Sequence, residues 1–180
     1  MHYTGTIWRP PYEAYSLLVQ VTAGCTHHSC KFCTLYEDLP FKFKLSPFSE
    51  VKADLAEASK YYRKIPRIFF TGANPFVLST EKLKTLAKMV KEYYPFYKTI
   101  GCFARITDIM PKSLEELKEL RALGYDGITI GVETGDDESL TFMNKGFQSK
   151  DVLEQCRKLD EAGISYNFFY LTGIYGAGRG

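Results

Sequence analysis

The chain has 180 residues, 45% hydrophobic and 24% charged, with a formal net charge of +2. That is enough for one domain with a real core, and it excludes a disordered chain; the near-neutral charge gives no case for nucleic acid as the main partner. No apolar run approaches the roughly 18 residues of a membrane span, and five cysteines without an N-terminal apolar segment predict a reducing, cytoplasmic compartment.

Residues 1–15 read as an N-terminal extension, ahead of a domain over 16–180. Ser16 to Thr22 (SLLVQVT) predicts a buried strand that ends at a cysteine-rich loop. Phe41-Lys42-Phe43-Lys44 reads as a solvated edge with aromatic packing. Ser46-Pro47 offers an N-cap and an N1 proline to a helix with the stripe Val51, Leu55, Ala58 and Tyr62. A second strand, Arg67 to Thr71, precedes a helix marked by Leu83, Leu86, Ala87, Val90 and Tyr94. A third strand, Lys98 to Ala104, leads to a capping box, Ser113 and Glu116, and a helix ended at Gly124. The fourth strand covers Gly127 to Val132. A helical turn from Asp136 to Met143 and a helix over 149–162 follow, then Gly163 and a fifth strand, Ser165 to Leu171. The glycine-rich tail, Thr172 to Gly180, reads as the turn after it.

Strands alternating with helices imply parallel βαβ units and an α/β fold. The short turns at Gly124 and Gly163 favour a barrel over a doubly wound sheet, although both share these local signals. Five strands do not close an eight-stranded barrel. The expectation is a partial (β/α) barrel of about five βα units whose C-terminal unit or units are missing.

Chemistry concentrates just after the strands. Cys25, Cys30 and Cys33 form a C-x4-C-x2-C loop after the first. Three is the wrong number for structural zinc, which takes four protein ligands. A [4Fe–4S] cluster held by three thiolates keeps one iron open, as a catalytic centre requires. The spacing alone leaves alternatives: zinc with His27, His28 or His2 as fourth ligand, or a disulfide plus a free thiol. Gly72-Ala73-Asn74 follows the second strand, Arg105-Ile106-Thr107-Asp108 the third, and Glu133-Thr134 the fourth. Cys102 and Cys156 fall on apolar faces and read as core thiols.

Together these residues resemble the radical S-adenosylmethionine (SAM) superfamily. The similarity is to the branch with oxygen-independent coproporphyrinogen oxidase, the Elongator catalytic subunit and the methylthiotransferases, and it runs from about Leu17 to Gly180. Phe32 stands before the last cysteine, as an aromatic does in the family's loop. Gly72-Ala73-Asn74 stands where the family has a Gly-Gly-Glu-like motif, and GVETGDDESLTFMNKG, from Gly131 to Gly146, resembles the branch's fourth-strand signature.

The resemblance implies a [4Fe–4S] cluster on Cys25, Cys30 and Cys33. It implies SAM bound by Phe32, Gly72, Ala73, Asn74, Glu133, Thr134 and Lys145, with Lys145 on the SAM carboxylate and the Gly72–Asn74 backbone on its amino group. It further implies a 5′-deoxyadenosyl radical, a reduced flavodoxin- or ferredoxin-type electron donor, and a substrate that the sequence leaves unnamed. This chain departs in four places: the first cysteine spacing is one residue longer, Gly-Ala-Asn replaces Gly-Gly-Glu, Lys145 stands in place of the usual Arg, and the sixth βα unit of the family core is absent. Two other readings remain at this level: a zinc-binding structural or interaction module, and a catalytically incomplete fragment of a radical SAM protein.

Overall fold

The structure is a computed structural model that describes residues 1–174 and Gly176. Strand β1 (Leu17–Gln20) is followed by β2 (Thr22–Gly24), which pairs antiparallel with β3 (Phe43–Leu45). Helix α1 (Phe48–Tyr61), β4 (Arg67–Thr71), α2 (Thr80–Tyr93) and β5 (Thr99–Ala104) come next. Two helices, α3 (Ile106–Ile109) and α4 (Leu114–Ala122), lead to β6 (Ile128–Glu133). Then come α5 (Asp137–Phe142), α6 (Ser149–Ala162) and β7 (Tyr166–Tyr170).

The main sheet is parallel throughout, in the order β1-β4-β5-β6-β7. No strand reverses direction across the sheet, and α1, α2, α4 and α6 pack side by side in chain order. A doubly wound sheet reverses its strand order and splits its helices over both faces. The unidirectional order is that of a barrel wall, so the expected partial barrel is what forms.

One face of each strand is buried by the helices. Val19, Ile68, Phe70, Ile100, Ile128 and Ile130 are fully buried in one core with Leu55, Leu83, Leu86, Leu117, Leu120 and Leu159. The opposite, concave face carries Gln20, Arg67, Phe69, Phe103, Thr129 and Phe169. Phe69 and Phe103 meet edge to face at 5.1 Å, and Phe103 lies 6.1 Å from Phe169. Residues 4–13 run across this face, while Met1 and His2 bond to Asp54 and Glu57 on α1. Thr4 bonds Gln20, Tyr12 bonds Thr129, and Glu13 holds Arg67.

Three local expectations are corrected. The first strand divides at Val21, whose N–H donates to Thr71 while its carbonyl accepts from Ser46. Val21 is thus where the chain leaves the barrel wall. Phe43 and Lys44 fall in β3, and the stretch is the solvated edge with aromatic packing that was expected: Lys42 and Lys44 are exposed while Phe43 packs against the core. Ser46 does not cap α1, because the helix begins one residue later, at Phe48; Pro47 takes the cap position without a side-chain bond. Tyr62 lies beyond the end of α1, exposed. The capping box at Ser113 and Glu116 and the left-handed Gly163 end to α6 form as expected. The turn expected after the last strand falls partly on Tyr175 and 177–180, outside the described residues.

Candidate functional site

The cysteine loop leaves the end of β2 at Gly24, whose φ of +75° suits glycine. A Cβ there would stand 2.2 Å from the Lys42 carbonyl oxygen. The same oxygen accepts from the Cys25 N–H at 2.8 Å, so β3 closes the loop back on its start. At the far side the loop is fastened to the turn after α5. Lys31 N–H donates to the Met143 carbonyl (3.0 Å), Asn144 Nδ2 to the Ser29 carbonyl (2.9 Å), and His27 Nε2 to the Asn144 carbonyl (2.5 Å). Burial, with Arg105 and Lys145 nearby, holds the His27 imidazole below its ordinary pKa.

All three thiols, none in a disulfide, open onto one cavity of about 310 Å³. Phe32, Ala73, Glu133 and Lys145 also line it. Burial pushes the Cys30 and Cys33 thiols up, while Lys145 opposes this at both. Burial likewise pushes the Tyr36 phenol, on the same wall, up to about 12. A larger hollow of about 690 Å³ lies between the N-terminal segment and α1, but no cysteine reaches it.

Lys145 and Glu133 are 4% and 9% exposed, and Lys145 Nζ lies 3.1 Å from Glu133 Oε1. The Phe32 and Phe147 rings flank the ammonium at 5.6 and 5.5 Å. Lys145 is therefore no surface lysine. Glu133 sits at φ +71° after a register shift in β6, an uncommon backbone for a non-glycine residue. This turns its carboxylate into the cavity.

Asn74 behaves differently from its neighbours. It is fully buried and its side chain is consumed within the protein. Nδ2 donates to Thr26 Oγ1 (2.8 Å) and to both Asp108 oxygens (3.1 Å). It braces the cysteine loop from below, so its amide does not face the cavity. Thr134 also lies off the cavity wall; its hydroxyl accepts from the Asp136 N–H at 3.1 Å. Gly72, at φ +132°, packs against Thr22, where a Cβ would strike the hydroxyl at 2.0 Å. Of the cofactor residues expected from sequence, the cavity wall gathers Phe32, Ala73, Glu133 and Lys145 with the three cysteines.

Sequence reasoning gave Arg105 no role, although its position directly after a strand marked the stretch. Its guanidinium donates to the Lys145 carbonyl and to Thr107 Oγ1, and its Nε is buried with no hydrogen-bond partner among the described residues. Trp8 and Arg9, from the N-terminal segment, also line the cavity and were not foreseen.

The donor set suits an iron–sulfur cluster. Three thiolate-forming side chains share one cavity with Lys145 and Arg105, and soft sulfur ligands select such clusters. As placed, no three His, Cys, Asp or Glu side chains among the described residues stand close enough to hold a metal ion. Two of the three histidines are engaged elsewhere, whereas His28 Nδ1 is buried with no hydrogen-bond partner among the described residues. His2 is bonded to Asp54 (2.7 Å), and His27 Nε2 is committed to Asn144.

The sequence pattern of the radical SAM superfamily matches residues 19–178. The chain belongs to the radical SAM superfamily. A [4Fe–4S] cluster and SAM are the cofactors of that family. The heme chaperone HemW of Bacillus subtilis is 30% identical over 97 residues, which cover 54% of this chain and 26% of HemW. An uncharacterized methyltransferase of a Synechocystis species is 26% identical over 178 residues, covering 93% of this chain and 31% of that protein. The chain thus spans under a third of the length of these relatives. In fold it resembles coproporphyrinogen III oxidase (HemN) from Escherichia coli, with a TM-score of 0.61, 20% identity, and 85% of this chain and 36% of that one covered. It also resembles the radical SAM methyltransferase TsrM from Kitasatospora setae, with a TM-score of 0.67, 17% identity, and 88% and 31% coverage. At these identities the likeness is one of fold.

Proposed function

We propose that this chain is the cofactor-binding core of a radical SAM enzyme. Cys25, Cys30 and Cys33 ligate the [4Fe–4S] cluster, and SAM occupies the cavity beside it. When bound, the cluster supplies the electron that cleaves SAM to methionine and a 5′-deoxyadenosyl radical. The observation that carries this reading is the shared cavity, in which three free thiols of one loop face the buried Lys145–Glu133 pair.

The chain's own residues bind, orient and exclude water. Lys145, flanked by two aromatic rings, offers a desolvated ammonium to the SAM carboxylate, and Glu133 offers an acceptor to its ammonium or hydroxyl groups. A ligand that brings both charges replaces the internal pair with two new ones, so neither residue is left bare. Gly72 and Ala73 contribute backbone groups, the gap at Gly72 letting the chain pass tight against Thr22. Asn74 serves by bracing the loop through Thr26, and Thr134 by fixing the turn into α5. Phe103 and Phe169 line the cavity and limit water around the reacting bond.

A reduced flavodoxin- or ferredoxin-type protein is the proposed electron donor, and the cytoplasm the proposed compartment. An exposed Cys33 and a cluster with an open iron both call for reducing surroundings. Among the described residues no helix is long and apolar enough to cross a membrane. The substrate belongs to the whole protein and is not named by this core.

Anaerobic reconstitution with iron and sulfide, followed by dithionite and SAM, tests the proposal. The expected product is 5′-deoxyadenosine, separated by chromatography. A colourless protein containing zinc, or a brown one that leaves SAM intact, would overturn it.

A further inference from the structure

The family match begins at residue 19, yet two side chains of the cysteine cavity come from before it, Trp8 and Arg9. Radical SAM proteins share their cofactor chemistry. A wall contributed from outside the family pattern is free to serve what differs among them, the molecule acted upon.

The segment that carries these residues is anchored on both sides. Before them, Thr4 exchanges two hydrogen bonds with Gln20, at 2.6 and 2.9 Å. After them, Pro10 and Pro11 stiffen the backbone. The Tyr12 hydroxyl then meets Thr129 Oγ1 at 2.8 Å, and the Glu13 carboxylate, 1% exposed, takes Arg67 Nε at 2.9 and 3.0 Å. Trp8 and Arg9 reach the cavity wall between these anchors.

Neither side chain is wholly spent on the fold. Trp8 is 46% exposed, leaving much of its indole bare. Arg9 is exposed and donates Nη1 to the Ala14 carbonyl at 3.1 Å. Among the described residues no carboxylate stands within ion-pairing distance of it. The cavity wall holds three cations, Arg9, Arg105 and Lys145, against one carboxylate, Glu133, which is already paired to Lys145. A guanidinium without a counter-charge beside an open indole suits a planar molecule bearing a carboxylate or phosphate.

We propose that Trp8 and Arg9 form the substrate-recognition strap of this site: an aromatic ring stacks on Trp8, and its carboxylate or phosphate group pairs with Arg9. This rests on reading the rest of the cavity as the SAM site.

Trp8 is the only tryptophan in the chain, so its emission reports directly on the strap. The full chain is titrated with benzoate, phenyl phosphate and benzyl alcohol. SAM binding to the cluster-loaded chain is measured separately by calorimetry. Benzoate or phenyl phosphate should change the emission saturably, the tighter of the two identifying the anion, and benzyl alcohol should not. Arg9→Gln should weaken the anion response at least tenfold, Arg9→Lys should restore part of it, and SAM affinity in Arg9→Gln should stay within about threefold. Equal response to benzyl alcohol, no response to either anion, or an equal loss of SAM and anion binding in Arg9→Gln would overturn the proposal. If wild type binds the anions through Arg9 but never SAM, the cofactor reading fails and the anion seat stands.

Discussion

Lys145 and Glu133 face each other across 3.1 Å at the inner wall of the cysteine cavity, both almost wholly out of water. Removing one partner of a buried pair leaves the other charge uncompensated and costs about 3–5 kcal/mol. Lys145→Met should therefore lower the unfolding free energy by about 3 kcal/mol, read from urea titrations. Adding Glu133→Gln should recover much of that loss, because the stranded charge goes with it. Equal stability of wild type and Lys145→Met would mean that the pair is solvated.

Each cysteine of the loop should be individually required for iron. Cys25→Ala, Cys30→Ala and Cys33→Ala should each hold little iron after reconstitution, by metal analysis and visible absorbance. None lies in the hydrophobic core, so folding stability should change by less than about 1 kcal/mol. Cys102→Ala should do the reverse: iron retained, with a loss of about 1–2 kcal/mol from its fully buried position. Full iron content in all three loop variants would remove these residues as ligands.

Gly24 offers a purely steric test of the loop. Gly24→Ala places a methyl group against the Lys42 carbonyl in a backbone region that side chains avoid. A cost of about 2–3 kcal/mol is expected. The strain falls on the joint between β2 and β3, so a chelator should strip iron from the loaded variant faster than from wild type. Unchanged iron loss would show that the joint does not hold the loop.

Asp108 gives a pH dependence with a definite sign. Burial raises its carboxyl to about 6, opposed by the Arg105 N–H, the Asn74 amide and the Arg105 and Lys112 charges, whereas an unfolded chain has about 3.9. The folded state thus binds this proton more tightly. The resulting stability is fully present below about pH 4 and is lost as pH rises through about 6. Between pH 7.5 and 4.5, wild type should gain about 2 kcal/mol relative to Asp108→Asn, which cannot titrate. A difference that stays flat across this range would contradict the assignment.

The barrel units were legible because each pairs a short β-branched or aromatic run with a helix of strong apolar period, such as Arg67–Thr71 followed by the Leu83–Val90 stripe. The cysteines were legible because the loop is local. What escaped depends on chain segments far apart in sequence. Nothing near Val21 shows that its carbonyl will be claimed by Ser46, so the split into β1 and β2 could not be read. The resemblance makes Asn74 a backbone contact for SAM, and nothing in its sequence surroundings shows that its amide will brace the loop through the buried Asp108. Trp8 and Arg9 reach the cavity on a segment anchored by Thr4 on Gln20, Tyr12 on Thr129 and Glu13 on Arg67, 54 residues away, pairings that no local pattern encodes.

The fastening of the cysteine loop to the turn after α5 also sets an order of events during synthesis. His27 and Asn144 are 117 residues apart, and Ser29 and Asn144 are 115 apart. A nascent chain that has not yet emerged past Asn144 cannot hold its loop in place, and closing so long a span is slow relative to local helix formation. The three thiols therefore spend the first part of the protein's life without the clamp that later aims them at one cavity. Metal delivery belongs after the fourth barrel unit has docked, and oxidation is most dangerous before it.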